Sequence, residues 1–137
     1  MKKRTIHYGL CGLDYVYLKD VPVRETMHGE VLAVELSAIE RGIACEIVRQ
    51  GIPIRGAEVQ FLRKSLGLSM EKFGRLLGIS APAVLKWERA RTKRLDPINE
   101  VAVRALMAEQ LNVELRGQFT LLKGNAHTPS RLILNVA

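Results

Sequence analysis

The chain has 137 residues and carries 21 Lys and Arg against 14 Asp and Glu, a formal net charge of +7. Its hydrophobic content of 47% and charged content of 26% are ordinary for a globular protein of one medium or two small domains. No apolar run approaches the length that spans a bilayer, and the basic start MKKRTIHYG lacks the apolar stretch of a signal peptide. These features argue against a membrane partner and predict a cytoplasmic protein whose two cysteines are reduced thiols.

The first 51 residues predict a small α+β unit. Residues 4–10 and 13–19 are rich in aromatic and β-branched side chains, which indicates two short strands that could form a hairpin. Residues 21–30 contain a Pro and a Gly and are interpreted as a connection, and residues 31–36 as a third strand.

A helix is expected to follow, from Ala38 to about Gln50. Ser37 and Glu40 have the spacing of a capping box, in which each side chain accepts from the backbone N–H of the other residue. The segment GIPIRG then marks a boundary. The helical stripe expected to face inward consists of Ile39, Ile43 and Ile47.

Residues 68–89 carry two short helical patterns on either side of a Gly-centred break, which is the spacing of a helix-turn-helix. Ser69 and Ser80 are placed to cap the two helices, and Gly78 suits the left-handed backbone that ends the first one. An all-α domain over 55–111 is predicted, with further helices at 56–66 and 98–110. The side chains expected inside it are Val59, Leu62, Leu66, Phe73, Leu76, Leu77, Ile79, Val84, Trp87, Ile98, Val101, Ala105 and Leu106.

The positive charge is concentrated on this motif. Residues 1–54 hold seven basic and seven acidic side chains, and residues 96–137 hold four of each. Residues 55–95 hold ten basic and three acidic side chains, so this segment accounts for the whole net charge. A basic surface that coincides with a helix-turn-helix indicates binding to DNA phosphates.

The motif, with LRKSLGLS before it and WER and RTKR after it, resembles the Cro/repressor-like (Xre) family of DNA-binding proteins. In such proteins the second helix enters the major groove, and one helix covers only a few base pairs, so a homodimer on operator DNA is expected. Base readout is expected from Ser80, Ala81, Ala83, Leu85 and Lys86. Contacts to the DNA backbone are expected from Ser69, Lys72, Arg89, Arg91, Lys93 and Arg94.

The same resemblance implies a structural ion pair. Similar repressors pair an Arg in the first helix with the Glu that follows the inward residue of the recognition helix. Arg63 and Glu88 occupy these two places.

Other kinds of site are not predicted. The chain shows no arrangement of nucleophile and base and no phosphate-binding loop, so neither an enzyme nor a cofactor is expected. His7, Cys11, His28 and Cys45 could together supply four zinc ligands. Their spacing contains neither a CxxC nor an HxxxH pair, and no metal site is predicted.

The tail over 112–137 contains the β-rich stretches QFTLLK and RLILNV, separated by a loop. We interpret it as a hairpin or an arm that aids dimerisation.

The whole chain is similar to antitoxins of type II toxin-antitoxin systems, in particular the MqsA-like group, through its CGLDYVYL and PIRGAEVQFLRKSLGLS stretches. The resemblance implies that residues 1–51 bind a toxin and that the chain represses its own operon. That group uses a four-cysteine zinc site, whereas only Cys11 and Cys45 are present here. A stand-alone repressor and an interaction module without base readout are the alternatives.

Overall fold

The computed structural model describes residues 2–115 and 119–136 and contains a four-stranded sheet. The strands are β1 (Lys2–His7), β2 (Val16–Thr26), β3 (Gly29–Leu32) and β4 (Leu132–Asn135). The long central strand is β2, and it pairs antiparallel with β1 and β3 and parallel with β4. Alternate residues of β2 face inward, because Val16 and Leu18 are fully buried whereas Lys19 is exposed.

β3 and β4 share one edge of β2, and β1 occupies the other edge. β1 pairs along β2 from Tyr17 to Val23, whereas β4 pairs with its first four residues and β3 with its last four. Since a strand has two edges, β4 and β3 must follow one another along the edge opposite β1. The tail therefore completes the N-terminal sheet within the same chain.

The interpretation of residues 21–30 as a connection is wrong, because most of this segment is the second half of β2. Pro22 suggests the end of a strand, but its carbonyl accepts a hydrogen bond from Ala33 N at 2.9 Å. Just before Pro22, β2 contains a bulge opposite β1, where Asp20 adopts a left-handed φ of 57°. The bulge shifts the register of the two strands, and β2 continues beyond it. The chain turns back only at Met27 and His28.

The remaining elements are helical. They are α1 (Leu36–Arg49), α2 (Gly56–Ser65), α3 (Met70–Leu77), α4 (Ala81–Arg89), α5 (Pro97–Leu111) and α6 (Phe119–Lys123). This mixture of a small sheet and a set of helices confirms the α+β class. The buried side chains of the sheet and of the helices form one continuous hydrophobic cluster.

α1 buries the predicted stripe of Ile39, Ile43 and Ile47, but its predicted start is wrong. The helix begins at Leu36, and its N-cap residue is Glu35. Ser37 therefore lies inside the first turn, where its hydroxyl donates to Glu35 Oε1 at 2.5 Å instead of capping the helix.

The tail differs from the predicted pair of β-rich stretches. Over residues 119–123 it forms α6, while Gln118 lies outside the described residues. The second stretch forms β4, whose Leu134 packs over Gly42 of α1. A Cβ at Gly42 would lie 3.1 Å from Leu134, so this glycine gives β4 its place beside the helix.

The inward stripe of α5 is also not the predicted one. Ile98 is 82% exposed, and the face that packs inward contains Val103, Arg104 and Met107. Hydropathy could not identify this stripe, because two of its residues, Glu100 and Arg104, are charged.

Glu100 joins three parts of the chain through its carboxylate. Oε1 accepts from Arg94 Nε at 2.7 Å and from the backbone N of Ile54 at 3.2 Å, and Oε2 accepts from Arg104 at 2.7 Å. Arg104 has no exposed surface and also donates to the carbonyls of Ile52 and Leu122. The carboxylate therefore joins the segment before α2, the loop after α4, and α5, and its two arginine partners reach the tail through the carbonyls of Lys123 and Leu122.

The ionisation of this cluster follows from its contacts. Burial alone would raise the pKa of Glu100, but the hydrogen bonds from Arg94 and Arg104 hold it below its ordinary value of 4.5. Burial lowers the pKa of Arg104, which the contact with Glu100 opposes. Arg94 and Arg104 thus share the Glu100 carboxylate as the anion that balances their charges.

We expect Glu100→Gln to lower the free energy of unfolding at pH 7 by about 3 to 5 kcal/mol, because it leaves buried Arg104 without its partner charge. Since the folded pKa of Glu100 lies below 4.5, the stabilisation is complete above that pH and is lost as the pH falls through the folded pKa. Urea unfolding between pH 7 and pH 3 measures both effects. An unchanged free energy at pH 7, or the same pH profile in the parent and the variant, would contradict this assignment.

Candidate nucleic-acid interface

The site begins with two places where the backbone approaches without room for a side chain. A Cβ at Gly56, the first residue of α2, would overlap the carbonyl oxygen of Trp87 in α4. A Cβ at Gly74 in α3 would lie 2.6 Å from the carbonyl oxygen of Ile79. These two glycines fix α2 against α4 and α3 against the turn that precedes α4.

Both motif helices begin with a serine cap. Ser69 Oγ accepts from Lys72 N at 3.1 Å, and Ser80 Oγ accepts from Ala83 N at 3.2 Å. Between them Gly78 adopts a φ of 78°, which an L residue rarely does, and so ends α3. The exposed backbone start of α4 is thereby held in a defined orientation.

Phe73 and Val84 are fully buried and join α3 to α4. Four other residues of the motif were predicted to be inside. Leu77, Ile79 and Trp87 are partly buried against the core, whereas Leu76 is 52% exposed. The reason is geometric, since two short helices leave one side of each open to solvent.

Arg63 and Glu88 lie together in the structure. Arg63 Nε is 2.6 Å from Glu88 Oε2, a second bond of 2.9 Å completes the fork, and both side chains are buried. The hydrogen bond to Glu88 raises the pKa of the Arg63 guanidinium. Arg63 also donates to the carbonyl of Leu68, so one guanidinium joins α2, α4 and the start of the motif.

The residues predicted for base readout lie along the start and one side of α4. Ser80 and Lys86 are exposed, whereas Ala81, Ala83 and Leu85 are half-buried. Lys86 is therefore the long polar side chain that this stretch offers to a ligand. The alanines leave the helix surface smooth, so that another molecule could approach it closely.

The residues predicted for backbone contacts separate into two groups. Ser69, Lys72, Arg89 and Lys93 are exposed around α3 and α4. Arg94 turns inward, donating to both oxygens of Glu100 and to the carbonyls of Lys123 and Ala126. Arg94 is therefore a weaker candidate for a phosphate contact than the other cations, because it makes four hydrogen bonds within the protein, although its side chain is 36% exposed.

Arg91 is exposed but also makes a contact that the sequence did not indicate. It donates to Gln60 Oε1 at 2.8 Å and to the carbonyl of Gly12 at 3.1 Å. The tip of the β1–β2 hairpin thus lies beside the loop that follows α4.

A buried cluster at the start of α2 was also missed. Glu58 has no exposed surface and accepts from Arg55 and from the hydroxyl of Tyr15 at 2.9 Å. Burial and then the Glu58 charge raise the pKa of Tyr15. The three-residue spacing of Arg55 and Glu58 is visible in the sequence, but no local pattern indicates their partner Tyr15, which lies just before β2.

The four residues considered as zinc ligands are not gathered in one place. His7 ends β1 and contacts Tyr17, whereas His28 lies in the turn at the far end of β2. Cys11 and Cys45 are free thiols, and burial raises the pKa of Cys11. Among residues 2–115 and 119–136, no group of three or more His, Cys, Asp or Glu could hold a metal ion.

The comparisons bear on the motif alone. The family model described as helix-turn-helix matches residues 59–98. No curated protein and no solved structure matched the chain. The match supports a DNA-binding transcription regulator. In addition, none of the described helices is both long and apolar enough to cross a membrane.

We expect Glu88→Ala to lower the free energy of unfolding by about 3 kcal/mol, because it leaves the Arg63 cation buried without its anion. Glu71→Ala is the matched control, since Glu71 pairs with Arg75 at 2.8 Å but both side chains are largely exposed. Its effect should stay below about 0.5 kcal/mol. Chemical denaturation of both variants makes the comparison, and equal effects would show that burial of the pair is not the cause.

Proposed function

We propose that the chain is a transcription repressor that binds operator DNA with the start of α4 in the major groove. The observation that carries this proposal is the exposed, serine-capped start of α4, flanked by exposed cations, within the segment that matches the helix-turn-helix family. The capped helix starts supply backbone N–H groups, and Lys72, Arg89 and Lys93 supply positive charge. Both suit the phosphates on either side of a groove.

Base readout in this proposal depends on few groups. Ala81, Ala83 and Leu85 offer only apolar contacts, which suit the methyl group of thymine. Lys86 is the one long donor in this set and suits the acceptor edge of guanine. The remaining selectivity would come from the shape of the DNA and from the spacing of half-sites.

Lys86→Ala should reduce the preference for the operator over a single-base variant by about 1 to 3 kcal/mol at one position per half-site. Lys93→Ala is the matched control, because it removes an exposed cation that contacts phosphate only. It should weaken binding to all sequences alike and flatten the salt dependence by about 0.9 per lost contact. Titrations of both variants against matched duplexes at several salt concentrations separate the two roles. If no duplex, including the DNA upstream of its own gene, is bound, the interaction-module alternative is favoured.

Specific binding at physiological salt should need a second copy of the chain. A dimer that binds two half-sites one helical turn apart reads twice as many base pairs as one copy, so its specificity is higher. Ile98, at the start of α5, is 82% exposed and lies beside the apolar surface of Pro97 and Val101. We propose this patch as the contact between the two copies, because Ile98 lies in a contiguous apolar surface with Pro97 and Val101.

Ile98→Asp should convert a dimer into a monomer and lower operator affinity, because it places a charge at the centre of that contact. Met27→Asp is the matched control, since Met27 is 90% exposed at the turn between β2 and β3. Sedimentation at micromolar concentration, with and without operator DNA, measures the state of both variants. A parent chain that is monomeric under both conditions would refute the dimer.

The finer part of the proposal is that the chain is an antitoxin that binds its toxin through residues 1–51. Besides the sequence resemblance, a groove of about 410 Å³ between α1 and the end of β4 supports it. Val34, Ala38 and Leu134 line this groove, and Leu36 beside it is 46% exposed. A neighbouring gene for a small toxin-like protein would favour the antitoxin, and its absence would favour the stand-alone repressor.

A further inference from the structure

The face of the sheet that points away from α1, called here the outer face, carries a concentration of positive charge. It is defined by the residues of β1, β2 and β4 that alternate with the buried ones. Tyr17 and Ile133 face each other there, as do His7 and Tyr17. Ile133 is 49% exposed on this face, and His7, Lys19 and Arg24 are exposed as well. The cations on or beside this face are Lys3, Lys19, Arg24 and Arg131.

The balanced charge of residues 1–54 hides this asymmetry. Three of the seven acidic residues, Glu35, Glu40 and Glu46, lie at the cap or within α1 on the other side of the sheet. Glu30 is paired with Arg4 at 2.6 Å. The remaining three are Asp14 in the β1–β2 hairpin, Asp20 in the bulge of β2, and Glu25 in β2. Four of the seven acidic residues therefore lie at the cap of α1, within α1 or in an ion pair, which a count along the sequence cannot reveal.

Arg131 is held in place by an aromatic ring. Its guanidinium carbon lies 4.4 Å from the centre of the Tyr17 ring, and the His7 ring lies 5.0 Å from the same ring. His7 Nε2 donates to the carbonyl of Asp14 at 2.7 Å, which anchors the cluster to the β1–β2 hairpin. A guanidinium stacked in this way keeps its N–H groups directed outward and loses little entropy when it meets a phosphate.

This cluster lies at the end of the sheet that contacts the helix-turn-helix. Arg91, in the loop after α4, donates to Gly12 in the same hairpin. Tyr15, two residues before Tyr17, donates to Glu58 at the start of α2. A series of contacts thus runs from Arg91, beside the expected DNA backbone, through the hairpin to Arg131.

We propose that the hairpin end of the outer face, formed by His7, Tyr17 and Arg131, binds the phosphates of DNA that flanks the half-site read by α4. The inference rests on the proposed function and adds a second contact surface to it. DNA is favoured over an acidic protein as the occupant, because the hairpin that carries the cluster contacts Arg91 at Gly12, and a DNA backbone that leaves that loop continues as an unbroken row of charges.

The test compares two duplexes, a minimal operator and the same operator extended by about 10 base pairs on each side, which is one helical turn. The parent should bind the longer duplex more tightly, and Arg131→Ala should lose roughly threefold to tenfold on the longer duplex and nothing on the minimal one. Its salt dependence on the longer duplex should flatten by about 0.9. Arg24→Ala is the matched control, because it removes a cation from the same face about 20 Å away, seven positions along β2.

Each other outcome has a defined meaning. If the parent binds both duplexes equally, the flanking contact does not exist even though the helix-turn-helix binds DNA. If Arg131→Ala matches the parent on both duplexes, the proposal is refuted and an acidic protein becomes the better occupant of the face. Equal losses on both duplexes would place the effect in the fold or in the half-site and also refute it. Tyr17→Leu keeps the Arg131 charge but removes the aromatic ring that holds it in place. This variant should lose part of the extra affinity that the parent has for the longer duplex.

Discussion

The described structure depends on one buried carboxylate, that of Glu100. It receives hydrogen bonds from two arginines and from the linker backbone, and so it holds the helix-turn-helix segment, α5 and the tail in one arrangement. Removing charges from water is costly, and only a nearly complete set of partners offsets that cost. Among the described residues, no buried side-chain nitrogen or oxygen lacks a hydrogen-bond partner. The orientation of the helix-turn-helix relative to the sheet therefore depends on these ion pairs as well as on hydrophobic packing.

Local signals in the sequence were sufficient for the motif. Serine caps, a glycine stop and the placement of Phe73 and Val84 depend on residues within a few positions, and these features lie where the sequence predicted them. The resemblance brought in Arg63 and Glu88, which periodicity alone would have left as surface charges. In contrast, Leu76 and Ile98 showed that hydrophobicity does not by itself decide which face of a short helix is buried.

Features that depend on distant partners could not be predicted. Pro22 suggests a loop. It lies within a strand because its carbonyl accepts a hydrogen bond from Ala33 N, and this contact requires a hairpin that no local pattern in the sequence predicts. Arg94 belonged to a basic run and was assigned to DNA, because its contact with Glu100 depends on how α5 packs. The sequence of the tail predicts a hairpin or an arm, since the place of β4 beside β2 is set by residues more than a hundred positions earlier.

The pairing of Val16 with Leu132 has a consequence for how the chain acquires its structure. The two residues are 116 positions apart, so this contact closes a very long loop, whereas the contacts within α2 to α4 are short-ranged. Long-range pairings form late, since the chain entropy lost must be overcome before any contact compensates for it. During synthesis, the helix-turn-helix can emerge from the ribosome and fold before β4 is available to pair with the edge of β2. During that interval the unpaired edge of β2 is open to pairing with strands of other chains, which is a route to aggregation.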